Sequence, residues 1–255
     1  YTPGAIREFC DRIGVSKVES ESDPALLEWC VREELNQTAT RRMAVLDPVK
    51  VVIDNWGSGV SPLQREVELP NNPLDPAAGV RKLPFGKTLY VEESDFMEVP
   101  EKKYFRLFPG NEVRFKGAYF LTCRECVKDE TGKVVELLCT YDPETRSGSG
   151  FEGRKVKGTV HWVDAATAVD AEVRLYSLLF SDPDPDASGK DFIACLNPDS
   201  LETLKGCKLE AALADAKAGD GYQFMRLGYF CADKDSTSDN LIFNRSVSLK
   251  DSFKK

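Results

Sequence analysis

Histidine is almost missing from this sequence, whose 255 residues include a single one, His161. Acid–base and nucleophilic catalysis need a base beside a nucleophile, and histidine is the side chain used most often. The sequence also lacks a phosphate-binding glycine loop, a dinucleotide-binding glycine fingerprint and the Gly-x-Ser-x-Gly motif of serine hydrolases. We predict that His161 is a packed residue beside Trp162 and that the chain has no catalytic residue.

Cysteine is present in eight copies, but without the spacing of a metal site. Cys123 and Cys126 form a Cys-x-x-Cys pair that has no second such pair to complement it. The alternation around them predicts a strand, on which positions three apart point to opposite faces. We therefore predict no metal site, and structural cysteines in a reducing compartment.

Long apolar runs are missing as well. No segment has the length of a membrane span, and the charged, amphipathic first residues are not typical of a signal peptide. The net charge of −8 argues against unspecific coating of nucleic acid, yet it is compatible with a local basic patch. We expect a cytoplasmic protein with neither membrane nor DNA as a partner. Because the sequence begins with Tyr1 and not with Met, we expect a piece of a longer protein.

Two short helices are predicted at the start of the chain. Apolar residues between Ile6 and Ile13 recur at helical spacing, and Gly14 is suited to end that helix. Ser22 or Asp23 can cap a second helix, with Pro24 in its first turn.

After Thr40 the pattern changes to short β-rich runs separated by turn residues, which is typical of an all-β sandwich or barrel. Residues 128–133 predict a hairpin connection, with Gly132 supplying a positive φ. Residues 144–154 are a loop rich in glycine and serine. The polar segment 181–191 is predicted to mark the passage from one barrel to another.

Arginines, lysines and amides alternate with aromatic residues in two segments, 102–120 and 222–230. Guanidinium groups suit the edge of guanine and phosphate oxygens, while aromatic faces stack on unpaired bases. Composition alone favours a simpler interpretation, in which these are the solvated outer faces of barrel strands.

Blocks along nearly the whole chain resemble glutaminyl-tRNA synthetases, which are class I aminoacyl-tRNA synthetases, and they occur in the order found in that family. The second of these blocks begins with two adjacent arginines, Arg41 and Arg42, at a junction where a helix gives way to strands. In chain order the blocks are YTPGAIREFCDRIGVSK, RRMAVLDPVKVVIDN, GRKVKGTVHWVDAA, EVRLYSLLF, LNPDSL, YQFMRLGYFCAD and FNRSVSLKD.

The resemblance implies a mainly β fold with two L25-like antiparallel β-barrels preceded by a short α-helical subdomain. Residues 1–38 would form the helical linker subdomain, residues 39–96 and 181–255 a proximal barrel, and residues 97–180 a distal barrel inserted into it. In the family the catalytic half precedes this region. Its HIGH-type signature needs two histidines, and neither it nor the MSK-type loop is present here.

The resemblance also implies that the two barrels hold a splayed anticodon. Arg41 matches an arginine that contacts the middle uridine, and Gln223 matches a glutamine that works with it. Arg106 matches an arginine that contacts the third-position guanine. Arg114 and Lys116 match basic residues around the first base and its phosphate. The full set of RNA-binding residues implied is Asn36, Arg41, Lys103, Arg106, Arg114, Lys116, Gln223 and Arg226.

Several positions depart from the family pattern. Lys116 stands where an arginine is expected, which replaces a two-pronged donor by a point charge. Phe105 replaces a basic residue and Lys103 a glutamine. Leu74 stands where a loop asparagine is usual, and Arg42 has no counterpart with an assigned role.

The sequence therefore predicts the anticodon-binding region of a bacterial-type glutaminyl-tRNA synthetase, a monomer that binds the CUG or UUG anticodon loop of a glutamine tRNA. No cofactor is expected in this chain, whereas the full-length enzyme would use ATP and magnesium to attach glutamine. Three alternatives stay open: a glutamyl-tRNA synthetase of the archaeal and eukaryotic type, a non-enzymatic L25-like barrel protein that binds ribosomal RNA, and a β-sandwich module for protein interactions.

Overall fold

In the computed structural model, which describes residues 1–18, 21–57, 65–182 and 184–250, the chain begins with two helices, Pro3–Ile13 (α1) and Pro24–Thr38 (α2). The side chain of Asp23 accepts a hydrogen bond from the amide of Ala25 at 2.9 Å, and Gly14 ends α1 with φ of 69°. Both predicted helices and these two boundary residues are confirmed. Neither described helix has the length and apolar character to cross a membrane.

Sixteen short β-strands follow α2 in the described part of the chain. In chain order they are β1 (Thr40–Arg42), β2 (Ala44–Val45), β3 (Pro48–Ile53), β4 (Glu66–Pro70), β5 (Val80–Pro84), β6 (Thr88–Glu92), β7 (Glu112–Phe115), β8 (Phe120–Lys128), β9 (Val134–Asp142), β10 (Thr159–Val160), β11 (Val163–Asp164), β12 (Val169–Tyr176), β13 (Leu201–Leu209), β14 (Gly221–Phe224), β15 (Gly228–Ala232) and β16 (Leu241–Ser248).

One sheet, which we name the split barrel, takes its strands from both ends of the chain. Its order is β1-β14-β15-β16-β12-β13-β2. The edge strands β1 and β2 are separated along the chain by Met43 alone. A continuous stretch of chain therefore pairs with β14 on one side and with β13 on the other, and it closes the sheet into a barrel.

A second sheet, the inserted barrel, is built by the chain between these segments. Its order is β10-β7-β8-β9-β3-β6-β11. The edge strands β10 and β11 are separated only by His161 and Trp162, so this sheet closes in the same way. Each barrel contains two parallel strand pairs among otherwise antiparallel neighbours. The predicted class, mainly β with two barrels behind a short helical part, is confirmed.

The strand pairing corrects the predicted division of the chain. Strands β3 and β6, in the segment predicted to belong with residues 181–255, pair within the inserted barrel. Strand β12, predicted in the distal barrel, pairs with β13 and β16 of the split barrel. The connector 181–191, of which residue 183 is outside the described residues, thus joins two strands of one barrel. The passage between the barrels instead occurs at residues 46–47 and 165–168.

The strand of residues 40–45 lies between the two barrel cores. Met43 and Val45 pack into the core of the inserted barrel, while Ala44 packs into that of the split barrel. The helices rest on the split barrel, where Cys30 and Val31 of α2 pack with Tyr229 and Val247. This arrangement fixes the exit from α2, and with it the start of β1, against both barrels.

Candidate functional site

Arg41 leaves the helix-to-strand junction with its guanidinium group already held. Its Nη1 donates to the carbonyl of Ala39 at 2.6 Å, and its Nη2 donates to the carbonyl and the side-chain oxygen of Asn36 at 2.5 and 3.2 Å. The residue is only 4% exposed, and burial lowers the pKa of Arg41. All three acceptors are neutral, so the group is oriented while its charge is left uncompensated.

A cavity of about 350 Å³ lies beside Arg41, between the two barrels. Four cationic side chains take part in its wall, together with small and apolar residues. The lining consists of Arg41, Leu69, Pro70, Pro73, Arg81, Arg114, Lys116, Gly117, Ser147, Thr159 and Met225. The volume and the mixture of apolar surface with a few oriented donors are typical of a site for a small planar group.

Arg114 faces this cavity from β7. Its Nη1 donates to the hydroxyl of Ser147 at 2.8 Å and to the carbonyl of Thr145 at 3.3 Å. The guanidinium carbon lies 4.2 Å above the ring centre of Phe120, and burial lowers the pKa of Arg114. Like Arg41, this arginine is held in place by neutral partners.

Lys116 follows β7 and has a fixed main chain. Its amide donates to the carbonyl of Val160 at 2.9 Å, and its carbonyl accepts from Nε1 of Trp162 at 3.0 Å. In the described part of the chain, no carboxylate lies within 4.0 Å of the charged nitrogens of Lys116, Arg114 or Arg41. Three uncompensated cations therefore surround one cavity in a protein whose net charge is −8. Such a site attracts a polyanion or the oxygen-rich edge of a base.

The fourth cation, Arg81, is compensated. It donates from Nε and Nη2 to the carboxylate of Glu210 at 2.7 and 3.0 Å. The same carboxylate, which is 3% exposed, accepts from the amide of Met43 at 2.8 Å and lies 3.3 Å from Nε of Arg42. Arg42, for which the sequence suggested no role, also donates to the side chain of Asn71 at 2.8 Å and is part of the scaffold.

Gln223 lies next to Arg41 in the sheet. The two residues are partners in the parallel register of β14 and β1, so their side chains project from the same face. Arg42 pairs with Phe224, a core residue of the split barrel, on the opposite face. Gln223 is thereby placed on the outer face of the barrel with Arg41, as the predicted pairing of their roles requires.

Arg106 and Arg226 come from different barrels and meet at one carboxylate. Arg226 donates to both oxygens of Asp95 at 2.6 and 2.7 Å, and Nη1 of Arg106 lies 3.0 Å from Oδ1 of Asp95. Nη1 of Arg226 is also 3.0 Å from Nδ1 of His161. Burial acts to lower the pKa of Arg226, but the bonds and charge of Asp95 outweigh it, so that this pKa is raised.

Other predicted positions lie away from the cavity. Lys103 is exposed in a loop, with a left-handed backbone φ of 72°. Phe105 is 46% exposed and lies under the ammonium group of Lys157, which is 4.9 Å from its ring centre. Leu74 is 54% exposed. Of the eight predicted residues, the cavity brings together Arg41, Arg114 and Lys116, and Asn36 acts on it through Arg41.

Sequence reasoning missed Arg81, Asp95 and Glu210. Arg81 occupies a polar position of β5 that looks like any solvated strand residue, and nothing local marks the two acids as buried partners. It also missed a second cavity of about 470 Å³, which shares Arg114 and Thr159 with the first. Phe151 and Arg154 line that second cavity, and an aromatic residue beside a cation in a glycine-rich loop was the available signal.

The residues that could suggest other chemistry are accounted for by packing. His161 is 1% exposed beside the buried Trp162, and its Nε2 lies 3.4 Å from Oε1 of Glu92. A β-bulge after Cys123 lets the half-buried Cys126 pack against the same core, which differs from the predicted opposite faces. Within the described ranges, no group of three or more His, Cys, Asp or Glu side chains could hold a metal ion.

Two family models match this chain one after the other, and both are described as tRNA synthetases class I (E and Q), anti-codon binding domain. The first matches residues 39–142, which contain β1 to β9, and the second matches residues 159–233, which contain β10 to β15. Together the matches include the Asp95 cluster and every lining residue of the cavity except Ser147.

Curated relatives named glutamine–tRNA ligase are similar over almost the whole chain. The relative from Bradyrhizobium diazoefficiens is 53% identical over 253 residues, which are 99% of this chain and 44% of the relative. Those from Clostridium perfringens and Vibrio parahaemolyticus are 54% and 49% identical over 100% of this chain, which correspond to 46% and 45% of their lengths. The chain thus spans a little under half the length of these relatives.

Proposed function

Since the chain belongs to the family of anticodon-binding domains of class I tRNA synthetases for glutamate and glutamine, we propose that it is the anticodon-binding region of a glutamine–tRNA ligase and binds the anticodon loop of a glutamine tRNA. The observation that carries this proposal is the cavity between the barrels, in which Arg41, Arg114 and Lys116 present positive charge with no carboxylate partner among the residues that the structure describes. Single-stranded loops are where RNA offers bases that fit such a cavity.

Arg41 and Gln223 are the residues we assign to the middle base. The guanidinium group offers donors for a uracil oxygen, and the amide of Gln223 offers a donor and an acceptor for the rest of the base edge. Arg114 and Lys116 approach the same cavity and suit the first base and its phosphate. Arg106, 44% of whose side chain is exposed, is assigned to the third base. These roles remain predictions.

The full-length protein would attach glutamine to tRNA with ATP and magnesium, in the cytoplasm and as a monomer. That chemistry is assigned to the part of the protein outside this chain. The names of the relatives favour glutamine over glutamate. Filter binding to glutamine and glutamate tRNAs, which differ at the third anticodon base, separates these two candidates, and preference for the glutamate tRNA would contradict the proposal.

Replacing Arg41 tests the proposal. We expect Arg41→Ala to reduce the preference for the correct middle base by roughly 5–150-fold, since a bidentate arginine contact contributes about 1–3 kcal/mol of discrimination. Arg41→Lys keeps the charge but loses the two-pronged donor of the guanidinium group. The affinity for the stem–loop should therefore fall less than the preference for the correct middle base. Fluorescence anisotropy with anticodon stem–loops changed at one base measures both quantities.

The matched control is Arg124→Ala, which removes an exposed arginine of β8 that does not line the cavity. Thermal denaturation verifies that each variant is folded, because Arg41 also satisfies the carbonyls of Ala39 and Asn36. Unchanged middle-base preference in folded Arg41→Ala would contradict the assignment. Binding of ribosomal RNA instead of tRNA would favour an L25-like role, and lack of any salt-dependent tRNA binding would favour a protein-interaction module.

A further inference from the structure

Asp95 is a carboxylate that contacts one arginine from each of the two barrels. Its side chain is 0% exposed and follows β6 of the inserted barrel. It accepts hydrogen bonds from Arg226 of the split barrel and forms an ion pair with Arg106 of the inserted barrel. Resting on the proposed function, we propose that Asp95 is a positioning residue that couples recognition of the middle anticodon base to recognition of the third.

The contact with Arg106 involves the main chain as well as the side chain. The amide of Leu107 donates to the carbonyl of Asp95 at 2.9 Å, and Nη1 of Arg106 donates to the carbonyl of Ser94 at 3.1 Å. Residues 94–95 therefore hold both the backbone next to Arg106 and its guanidinium group. Any displacement of Asp95 moves the residue assigned to the third base.

The contact with Arg226 leads back to the strand that carries Arg41. Arg226 occupies the turn between β14 and β15 with φ of 69°, a conformation that is disfavoured for residues other than glycine and persists where surrounding bonds hold it. The amide of its neighbour Met225 donates to the carbonyl of Arg42 at 2.9 Å. The turn is thus attached both to β1 and to Asp95.

These contacts form one continuous path between the two assigned bases. A middle base bound by Arg41 and Gln223 contacts β1 and β14, which are paired. The turn after β14 contains Arg226, which donates to Asp95. One carboxylate then orients two guanidinium groups, so neither group can be placed independently of the other. When the middle base is wrong, Arg106 is already misplaced. A wrong third base then reduces the binding affinity by a smaller factor than it does when the middle base is correct.

A double-change cycle on the RNA measures this coupling. The full chain is titrated with four anticodon stem–loops: the cognate loop, one changed at the middle base, one changed at the third base, and one changed at both. Each base change raises the dissociation constant by some factor. For the wild-type chain we expect the factor for the double change to be at least three times smaller than the product of the factors for the two single changes. The ratio of that product to the effect of the double change measures the coupling. In Asp95→Asn this ratio should fall to one, and Asp95→Glu should restore part of it.

A second variant keeps the test decisive if Asp95→Asn does not fold. Arg106→Gln alters a half-exposed side chain and leaves the ion pair between the buried Asp95 and Arg226 in place. We expect it to reduce discrimination at the middle base at least threefold, although Arg106 is assigned to the third base. Asp170→Asn, which removes an exposed partner of Lys208 that makes none of the contacts of this path, should leave every ratio unchanged.

Additive base changes in the wild-type chain would overturn the proposal, as would a wild-type ratio in folded Asp95→Asn or unaltered middle-base discrimination in Arg106→Gln. Failure of the proposed function has a different signature. In that case the wild-type chain shows no preference for the cognate loop, before any variant is compared.

Discussion

Arg41 and Arg42 are adjacent in the sequence and have opposite surroundings. Arg41 is held by neutral carbonyl and amide oxygens next to an open cavity, whereas Arg42 lies beside the buried carboxylate of Glu210. Alternation along β1 places them on opposite faces. Their different environments explain why one arginine is available for a ligand and the other supports the fold.

Glu210 should be essential for stability. Glu210→Gln leaves the guanidinium groups of Arg42 and Arg81 without their buried counter-charge, in a region that already holds uncompensated cations. Removing one partner of a buried ion pair costs about 3–5 kcal/mol, and we expect that loss in the free energy of unfolding measured with urea. The exposed Glu68→Gln on β4 is the control and should change it by less than about 0.5 kcal/mol. Equal stability of the two variants would contradict the role of Glu210.

Resemblance located Arg41, Arg114 and Lys116 in the sequence, but it could not show which cations are neutralised. The partner of Arg81 lies 129 residues away along the chain, at a separation where no local pattern operates. Lys103 shows the reverse case. It carries the same charge as the cavity residues, yet its loop leaves it in solvent.

At the scale of elements, local chemistry determined what could be predicted. The helices were predictable because caps, prolines and a terminal glycine mark their ends within a few residues. The closing strands β1, β2, β10 and β11 contain only two or three residues, and their partners lie far along the chain. Strands β14 and β15 form a hairpin whose left-handed turn position is occupied by a non-glycine residue, Arg226, so no glycine marks this position in the sequence.

Gly158 should be required for the approach of two segments. A β-carbon at this position would lie 1.8 Å from the backbone carbonyl oxygen of Phe105, a contact that only displacement of the main chain can relieve. We expect Gly158→Ala to lower the free energy of unfolding by about 1–3 kcal/mol and, because Arg106 adjoins Phe105, to weaken third-base discrimination.

Gly221→Ala provides the comparison, since a β-carbon there meets no atom within 4 Å among the described residues. Urea unfolding and stem–loop binding should both stay at wild-type values for this variant. If Gly158→Ala behaved in the same way, the close packing of Gly158 against residue 105 would not matter for either property.

At the scale of the whole molecule, the net charge of −8 and the positive cavity coexist because the acids are placed elsewhere or paired. A separate property of the whole molecule is that burial raises the pKa values of several tyrosines. These tyrosines are Tyr104, Tyr119, Tyr141, Tyr222 and Tyr229. For Tyr104, burial and then the charge of Asp95 raise the pKa to about 12.

The protein should lose stability as the pH rises above 10. A tyrosine whose pKa is raised in the folded state, from its usual value of 10.0, binds its proton more tightly there than in the unfolded chain. Its contribution is complete below about pH 10 and is lost as the pH passes through the folded-state pKa. Urea midpoints at several pH values should fall across this range, and Tyr104→Phe should make the fall shallower. A Tyr104→Phe profile parallel to the wild-type profile would exclude Tyr104 as a contributor.

The closure of the split barrel by residues 40–45 sets an order of events during synthesis. These residues are made early, but their partners β13 and β14 begin at residues 201 and 221, after the last strand of the inserted barrel ends at residue 164. At about 5–20 residues per second, Arg41 waits roughly ten to forty seconds on the ribosome for its barrel to close. A nascent chain therefore carries a complete inserted barrel before Met225 can complete the cavity beside Arg41, and this cavity is among the last features to form.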